Sequence, residues 1–259
     1  MSQPITILFY PEMPEPESTA YQLCTYLGYR LTNNPTQAFD VAFKYFDATF
    51  FSADLLDVFD DIHDDVINGH SLDISKNRVG EVFQSVFGYD ININPVSDRG
   101  LGFQKSDINR WRDGEMVQLP LAADVVDQDV VYQKFVDTET DGEYVDISVP
   151  IYDGVIPCVV LQARSHVKLT DAAKTVLTVK ETVSIFSEAE IQQLTRCAQG
   201  LRLDYGEFDV LRDRHDGKIY IVDVNNTPCE FPQGLTAMER ELLLEKLSNA
   251  FVPLIAKRL

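Results

Sequence analysis

The stretch from Leu203 to Pro228, LDYGEFDVLRDRHDGKIYIVDVNNTP, decides how this chain reads. Phe208 to Asp213 alternates apolar and polar residues, Asp216-Gly217 is a strong turn signal, and Lys218 to Val224 is β-branched and aromatic. That pattern predicts a two-stranded antiparallel hairpin. Centred on Asp216, it sets Asp209 opposite Asp223 and Glu207 opposite Asn225, so four oxygen-bearing side chains share one face. Carboxylates facing each other across a strand pair repel by about 0.2–1 kcal/mol unless a positive charge lies between them. Mg²⁺ suits that position, since it takes one or two carboxylates plus substrate phosphates and keeps water at its other sites. A tight two-residue turn at Asp216-Gly217 is the alternative: it shifts pairing by one and sends Asp223 to the other face, unless a bulge restores the register. Acidic residues on exposed strands of an acidic protein also need no metal.

Two upstream segments supply positive charge. Asp73 to Phe87 carries Val79, Val82, Phe83 and Val86 at helical spacing, with Lys76 and Arg78 in the first turn. Cations there oppose the helix dipole, which argues for an anion nearby or for an ordinary surface arrangement. Ser97 to Gly114, SDRGLGFQKSDINRWRDG, mixes glycines with Arg99, Lys105, Arg110 and Arg112. Glycine backbone beside cations is how a loop closes over phosphates, although a turn-rich hairpin loop has the same composition. Trp111 either covers a ligand or packs.

The hairpin and its tail, FDVLRD…DGKIYIVDVNNTP, resemble the C-terminal signature of the ATP-grasp enzymes, an acidic strand followed by a second strand ending Glu/Asp-x-Asn-x-x-Pro. The resemblance implies that Asp209, Asp223 and Asn225 hold Mg²⁺; Asp223 stands where the family more often has Glu, a shorter arm. Three further segments follow the family's order. Asp73 to Val79, leading to Gly88 and Pro95, looks like its first lysine segment, with Lys76 reaching nucleotide phosphates. Gly100 to Ser106 resembles the strand of the second nucleotide lysine, Lys105, with Ser106 in place of the usual proline. Val131 to Val136 looks like the hinge strand, in which Gln133, Lys134 and Phe135 meet adenine. The strands Val145 to Ile151 and Ile156 to Arg164, joined at Asp153-Gly154, resemble the pair ending in a phosphate-binding arginine, Arg164. The resemblance covers residues 71–228 and names no subfamily or substrate.

The rest of the chain sets outer bounds. Its 259 residues, 45% hydrophobic, suffice for one large domain or two compact ones. No apolar run approaches the length of a membrane span, and MSQPITILFYPEMPEPES lacks the pattern of an export signal, so a cytoplasmic location is expected. A net charge of −19 opposes nucleic-acid backbones and anionic lipid, so neither is an expected partner. Cys24, Cys158, Cys197 and Cys229 have neither zinc nor disulfide spacing, and His63, His70, His166 and His215 are not spaced as a metal set. Asp57 to Asp65 concentrates aspartates around His63 without EF-hand spacing and reads as a solvated face. Ile5 to Tyr10, a helix capped by Ser18 and ended at Gly28, and Phe39 to Phe46 form a small β-α-β unit with no Gly-rich phosphate fingerprint. Ser187-Glu188-Ala189-Glu190 opens a helix running to Gly200, and a leucine-rich helix runs from Thr236 to Leu259.

The expected fold is α+β or α/β: residues 1–70 as the β-α-β domain, 71–136 as a small lobe with the nucleotide lysines and hinge, and 137–259 as a large lobe with the metal hairpin. The resemblance implies an ATP- and Mg²⁺-dependent ligase that activates a small-molecule or peptide carboxylate as an acyl phosphate for attack by an amine or thiol. A small-molecule kinase is the alternative within the fold, and a non-catalytic nucleotide-binding protein the alternative outside catalysis, favoured by Asp223 and Ser106. The 70 N-terminal residues carry no motif that identifies the acceptor.

Overall fold

The computed structural model of the chain describes residues 4–52, 65–109, 114–165, 175–228 and 230–259. Arg110, Trp111, Arg112, His166, Cys229 and the acidic run from Asp57 up to residue 64, with His63, lie outside the described residues.

The chain begins with β1 (Thr6–Pro11), α1 (Thr19–Leu27), β2 (Arg30–Thr32) and β3 (Val41–Tyr45), and the three strands form a parallel sheet in the order β2-β1-β3. Ser18 starts α1 by accepting a hydrogen bond from the Tyr21 N–H, and Gly28 ends it with φ 70°, a left-handed turn that glycine adopts without steric cost. Next come α2 (Lys76–Phe87), capped by Ser75, and the strands β4 (Gly100–Ser106), β5 (Glu115–Leu119) and β6 (Val130–Lys134), an antiparallel sheet in the order β5-β4-β6.

A larger antiparallel sheet follows. It comprises β7 (Glu139–Thr140), β8 (Glu143–Tyr152), β9 (Val159–Ser165), β10 (Thr175–Lys180), β11 (Tyr205–Arg212) and β12 (Ile219–Asn225), in the order β10-β9-β8-β11-β12 with β7 against β8. Three helices accompany it: the short α3 (Thr182–Ile185), α4 (Glu188–Gly200) and α5 (Ala237–Ala256). Both α4 and α5 open with a complete capping box, on Ser187 with Glu190 and on Thr236 with Glu239.

Strand alternation gives the large sheet two faces with different partners. Ile147, Val149, Phe208 and Val210 project to one side and pack under Val79 and Phe83 of α2 and Leu194 of α4. At one end of the opposite face, Tyr152, Val160 and Tyr205 pack on Leu247 and Phe251 of α5 and on Phe9 and Phe43 of the parallel sheet. Tyr152 and Tyr205 stack with ring centroids 4.9 Å apart. Truncating one fully buried leucine in this cluster to alanine costs about 2–5 kcal/mol. Glu207, Asp209 and Arg164 lie on the same face beyond this cluster.

Several segments depart from the sequence expectations. The strands β2 and β10 were not anticipated, and both lie at sheet edges. Ile156 to Cys158 lies outside the sheet ladder, so the second strand of its pair begins at Val159. Gly100 to Ser106 is a strand, as the resemblance implied, and the described residues of the Ser97 to Gly114 segment on either side of it are turn or irregular. Cys24, Cys158 and Cys197 are free and buried, and burial pushes each thiol up to about 12. No described helix is long and apolar enough to cross a membrane.

Candidate functional site

Alternation in β11 and β12 builds one wall of the site. Asp209 faces Asp223 and Glu207 faces Asn225, while nearer the turn Val210 faces Ile221 and Arg212 faces Ile219. The register shifts at a bulge between Asp209 and Val210, which leaves Val222 as the extra residue on β12. The turn is therefore not a two-residue Asp216-Gly217 loop. Asp213 to Lys218 closes it through Asp213 N–H to the Lys218 carbonyl, 2.9 Å, and Gly217 at φ 71° makes the reversal. The bulge restores the face shared by the acidic residues. Gly206 allows the entry to β11: a Cβ there would lie 2.5 Å from the Asn225 carbonyl oxygen.

Opposite this wall stand the two lysines. Lys76, buried at the start of α2, donates to Asn109 Oδ1 at 3.0 Å and lies 3.9 Å from Asp223 Oδ1. Lys105 on β4 donates to Gln133 Oε1 on β6 at 3.1 Å, with its ammonium 5.7 Å from the centre of the Phe103 ring. Phe135 lies 5.9 Å from Phe103, ring to ring. Gln133 is 1% exposed, and its side-chain NH₂ has no hydrogen-bond partner. Buried donors are normally paired, and an acceptor reaching this amide would satisfy it.

Burial and mutual repulsion set the charge states. Burial raises the carboxyl of Glu207, and a hydrogen bond from Ser148 offsets part of the rise. Burial raises Asp209 as well, the charges of Glu207 and Asp223 push it further, and Lys105 and Arg164 oppose them. Asp223 is likewise raised by burial against the pull of Lys76 and Lys105. Lys105 is lowered, first by burial and then by Lys76, with Asp223 and Asp209 countering. Each charge is thus held in a less favoured form than it would have in water. A divalent cation would relieve the carboxylates, and an anion would relieve Lys105.

The residues singled out in the sequence do not all converge. Lys76, Lys105, Asp209 and Asp223 lie close enough to influence one another's charge, Gln133 is bonded to Lys105, Asn225 lies two residues beyond Asp223 on β12, and Phe135 packs near Phe103. Arg164 projects from β9 on the face that carries Asp209 and is ion-paired with Asp146. Lys134 points away from Gln133 and binds Asp213 Oδ2 at 2.7 Å and the Tyr220 hydroxyl at 2.9 Å, tying β6 to the hairpin turn. Arg78 also turns aside, to Glu81 and the Gly200 carbonyl. Among the described residues no three His, Cys, Asp or Glu side chains form a metal cage. A cation bound here would meet two facing carboxylates and an amide oxygen, a sparse protein donor set that suits Mg²⁺ beside phosphates.

Two residues not read from the sequence organise the site. Asn109 bridges Lys76 to β12 by donating to the Val224 carbonyl at 2.8 Å. Asn68, fully buried with φ 59°, accepts from the N–H groups of Asp204 and Tyr205 and donates to the carbonyls of Tyr205 and Asn226. It binds the loop after the parallel sheet to both ends of the hairpin. Asparagine in an Asn-Gly pair, Asn68-Gly69, was the available signal for its left-handed backbone.

No family sequence model matches the chain, and no curated protein matches it by sequence. Solved structures do match over nearly the whole chain. The ATP-grasp ligase PsnB, complexed with a minimal precursor, superposes with a TM-score of 0.63 at 14% identity, over 97% of this chain and 99% of PsnB. The D-alanine–D-alanine ligase of Bacillus anthracis complexed with ATP gives 0.57 at 15% identity, over 99% of each chain. The macrocyclase MdnC of Microcystis aeruginosa MRC, bound with precursor peptide MdnA, gives 0.52 at 10% identity, over 95% of this chain and 98% of MdnC. At such identities the likeness is one of fold.

Proposed function

We propose that this chain, which has the ATP-grasp fold, is an ATP- and Mg²⁺-dependent ligase that activates a small-molecule or peptide carboxylate for attack by an amine or thiol. The observation that carries this reading is the meeting of Lys76 and Lys105 with Asp209 and Asp223, with burial working against the charged forms of Lys105, Asp209 and Asp223. The unpaired Gln133 amide beside Phe103 and Phe135 supports a nucleotide base at the inner end. The proposed division is residues 1–70 for the acceptor platform, 71–136 for the small lobe and 137–259 for the large lobe.

In phosphoryl transfer the protein does little covalent work; positioning and charge neutralisation carry most of the acceleration. Lys76 and Lys105 neutralise phosphate oxygens from the small lobe. Asp209, Asp223 and Asn225 would hold Mg²⁺ from the large lobe, where it would supply positive charge to offset that of the phosphates. Arg164, on the same sheet face, steadies charge spreading over the transferred group. A carboxylate oxygen of the acceptor forms a bond to the γ-phosphorus as the β–γ bridge breaks and ADP leaves. The amine or thiol then attacks the acyl carbon, and inorganic phosphate departs with the electrons of the C–O bond.

The test is release of ADP and phosphate from Mg²⁺–ATP across a matrix of carboxylates and nucleophiles, peptides included. A ligase yields phosphate only when both members of a pair are present. ADP formed with a single hydroxyl substrate, without phosphate, would replace ligation by kinase chemistry.

A further inference from the structure

We propose that Asn109 is a positioning residue that sets the spacing between Lys76 and the Asp223–Asn225 segment, and so makes Mg²⁺ binding and nucleotide binding interdependent. The proposal rests on the functional reading above and adds a device that couples its two halves. Asn109 is 7% exposed, and its backbone N–H and both side-chain polar atoms are bonded. Its backbone N–H donates to Thr49 Oγ1 at 2.7 Å, its Nδ2 to the Val224 carbonyl at 2.8 Å, and its Oδ1 accepts from Lys76 Nζ at 3.0 Å. An ammonium requires an acceptor and a carbonyl requires a donor, so only this orientation of the amide satisfies both.

The peptide it grips lies between two metal-binding positions. β12 is an edge strand of the large sheet, and Asn109 gives the Val224 carbonyl a partner there. On the other side of that residue, Asp223 Oδ1 accepts from the Val224 N–H at 3.0 Å. Val224 is thus fixed by one bond from Asn109 and one to Asp223. The acceptor offered to Lys76 is neutral, and this matters for the chemistry. A carboxylate in its place would cancel the ammonium charge, whereas an amide orients the ammonium and leaves its charge for phosphate. Asp223 itself stays 3.9 Å away. Thr49 follows the parallel sheet and Asn109 follows β4, so this one residue ties the chain beyond those two strands to β12 and to the start of α2.

Positions joined in this way cannot move separately. If β12 shifts when its carboxylates take a cation, the shift is passed through Asn109 to Lys76, and phosphate bound by Lys76 feeds back on the strand. Linkage requires the effect to be reciprocal: the factor by which Mg²⁺ tightens ATP equals the factor by which ATP tightens Mg²⁺.

Calorimetric titration measures this factor as the ratio of ATP affinity with Mg²⁺ to that with excess chelator, with adenosine as a control. Asn109→Leu removes both side-chain bonds at similar volume. We expect the ratio to fall by about tenfold, a loss matching one to two net hydrogen bonds, while adenosine affinity stays unchanged. Equal losses of ATP affinity with and without Mg²⁺ would mean a merely structural side chain and would overturn the proposal. If Asn109→Leu does not fold, Asn109→Ser undergoes the same comparison by the same criterion. A wild-type protein whose ATP affinity ignores Mg²⁺ would sink the functional reading itself, and this proposal with it; a normal wild-type ratio that Asn109 variants leave intact would sink this proposal alone.

Discussion

Replacing Asp223 with Asn separates a metal ligand from a structural residue. The side chain faces Asp209 across the ladder and is raised by burial, so its charge opposes folding. Removing that charge relieves about 0.2–1 kcal/mol of cross-strand repulsion. Against this stands the loss of attraction to Lys76, 3.9 Å away, in a pair whose aspartate is 31% exposed and therefore screened. The asparagine oxygen can still accept from the Val224 N–H. These effects nearly cancel, and the ligand-free variant should unfold within about 1 kcal/mol of the wild type. Metal-dependent binding should suffer, because a neutral amide oxygen replaces one of two carboxylates. A tenfold loss of Mg²⁺–ATP affinity removes about 1.4 kcal/mol of ligand-induced stability. Urea unfolding with and without Mg²⁺–ATP at one fixed concentration reads both numbers. A ligand-free variant destabilised by several kcal/mol, or an undiminished Mg²⁺–ATP effect, would refute the reasoning.

Three other outcomes are expected. Lys105→Ala should weaken ATP by roughly 10- to 150-fold, the value of a charged hydrogen bond of about 1.5–3 kcal/mol, and should spare adenosine; equal losses in calorimetry would place Lys105 away from phosphate. Lowering the pH from 8 to 6 should weaken Mg²⁺-dependent ATP binding, since Glu207, Asp209 and Asp223 are all raised and protons compete with the metal. Over the same interval the ligand-free protein should gain stability from these groups, because a raised carboxyl contributes stability below its unfolded value of about 4 and loses it as pH rises through its folded value. Melts at both pH values, with and without Mg²⁺–ATP, check the two opposing slopes.

The parts legible in the sequence were those written in local patterns. The alternation of Phe208 to Asp213 and the run Lys218 to Val224 fixed the hairpin, and Ser18, Gly28, Ser187 and Thr236 marked helix ends. The bulge at Asp209/Val210 was open because Val222 looks like any other strand residue; the ladder decides it. The β10 segment, Thr-Val-Leu-Thr-Val-Lys, had strand composition but gained meaning only by pairing with β9. Asn68 and Asn109 escaped notice because their partners lie 136 and 115 residues away, at Tyr205's neighbour Asp204 and at Val224. Lys134 shows the converse. Adjacent to Gln133 it resembles half of a base-binding pair, yet strand alternation sends it to Asp213, 79 residues on.

The central claim is that this cleft binds ATP through Mg²⁺, and a thermal melt tests it most directly. Mg²⁺–ATP at about 100 times its dissociation constant should add about 2.7 kcal/mol, a rise in melting temperature of about 5–11 °C for a chain of this size. ATP with excess chelator should add far less. A melting temperature unmoved by millimolar Mg²⁺–ATP would contradict the account.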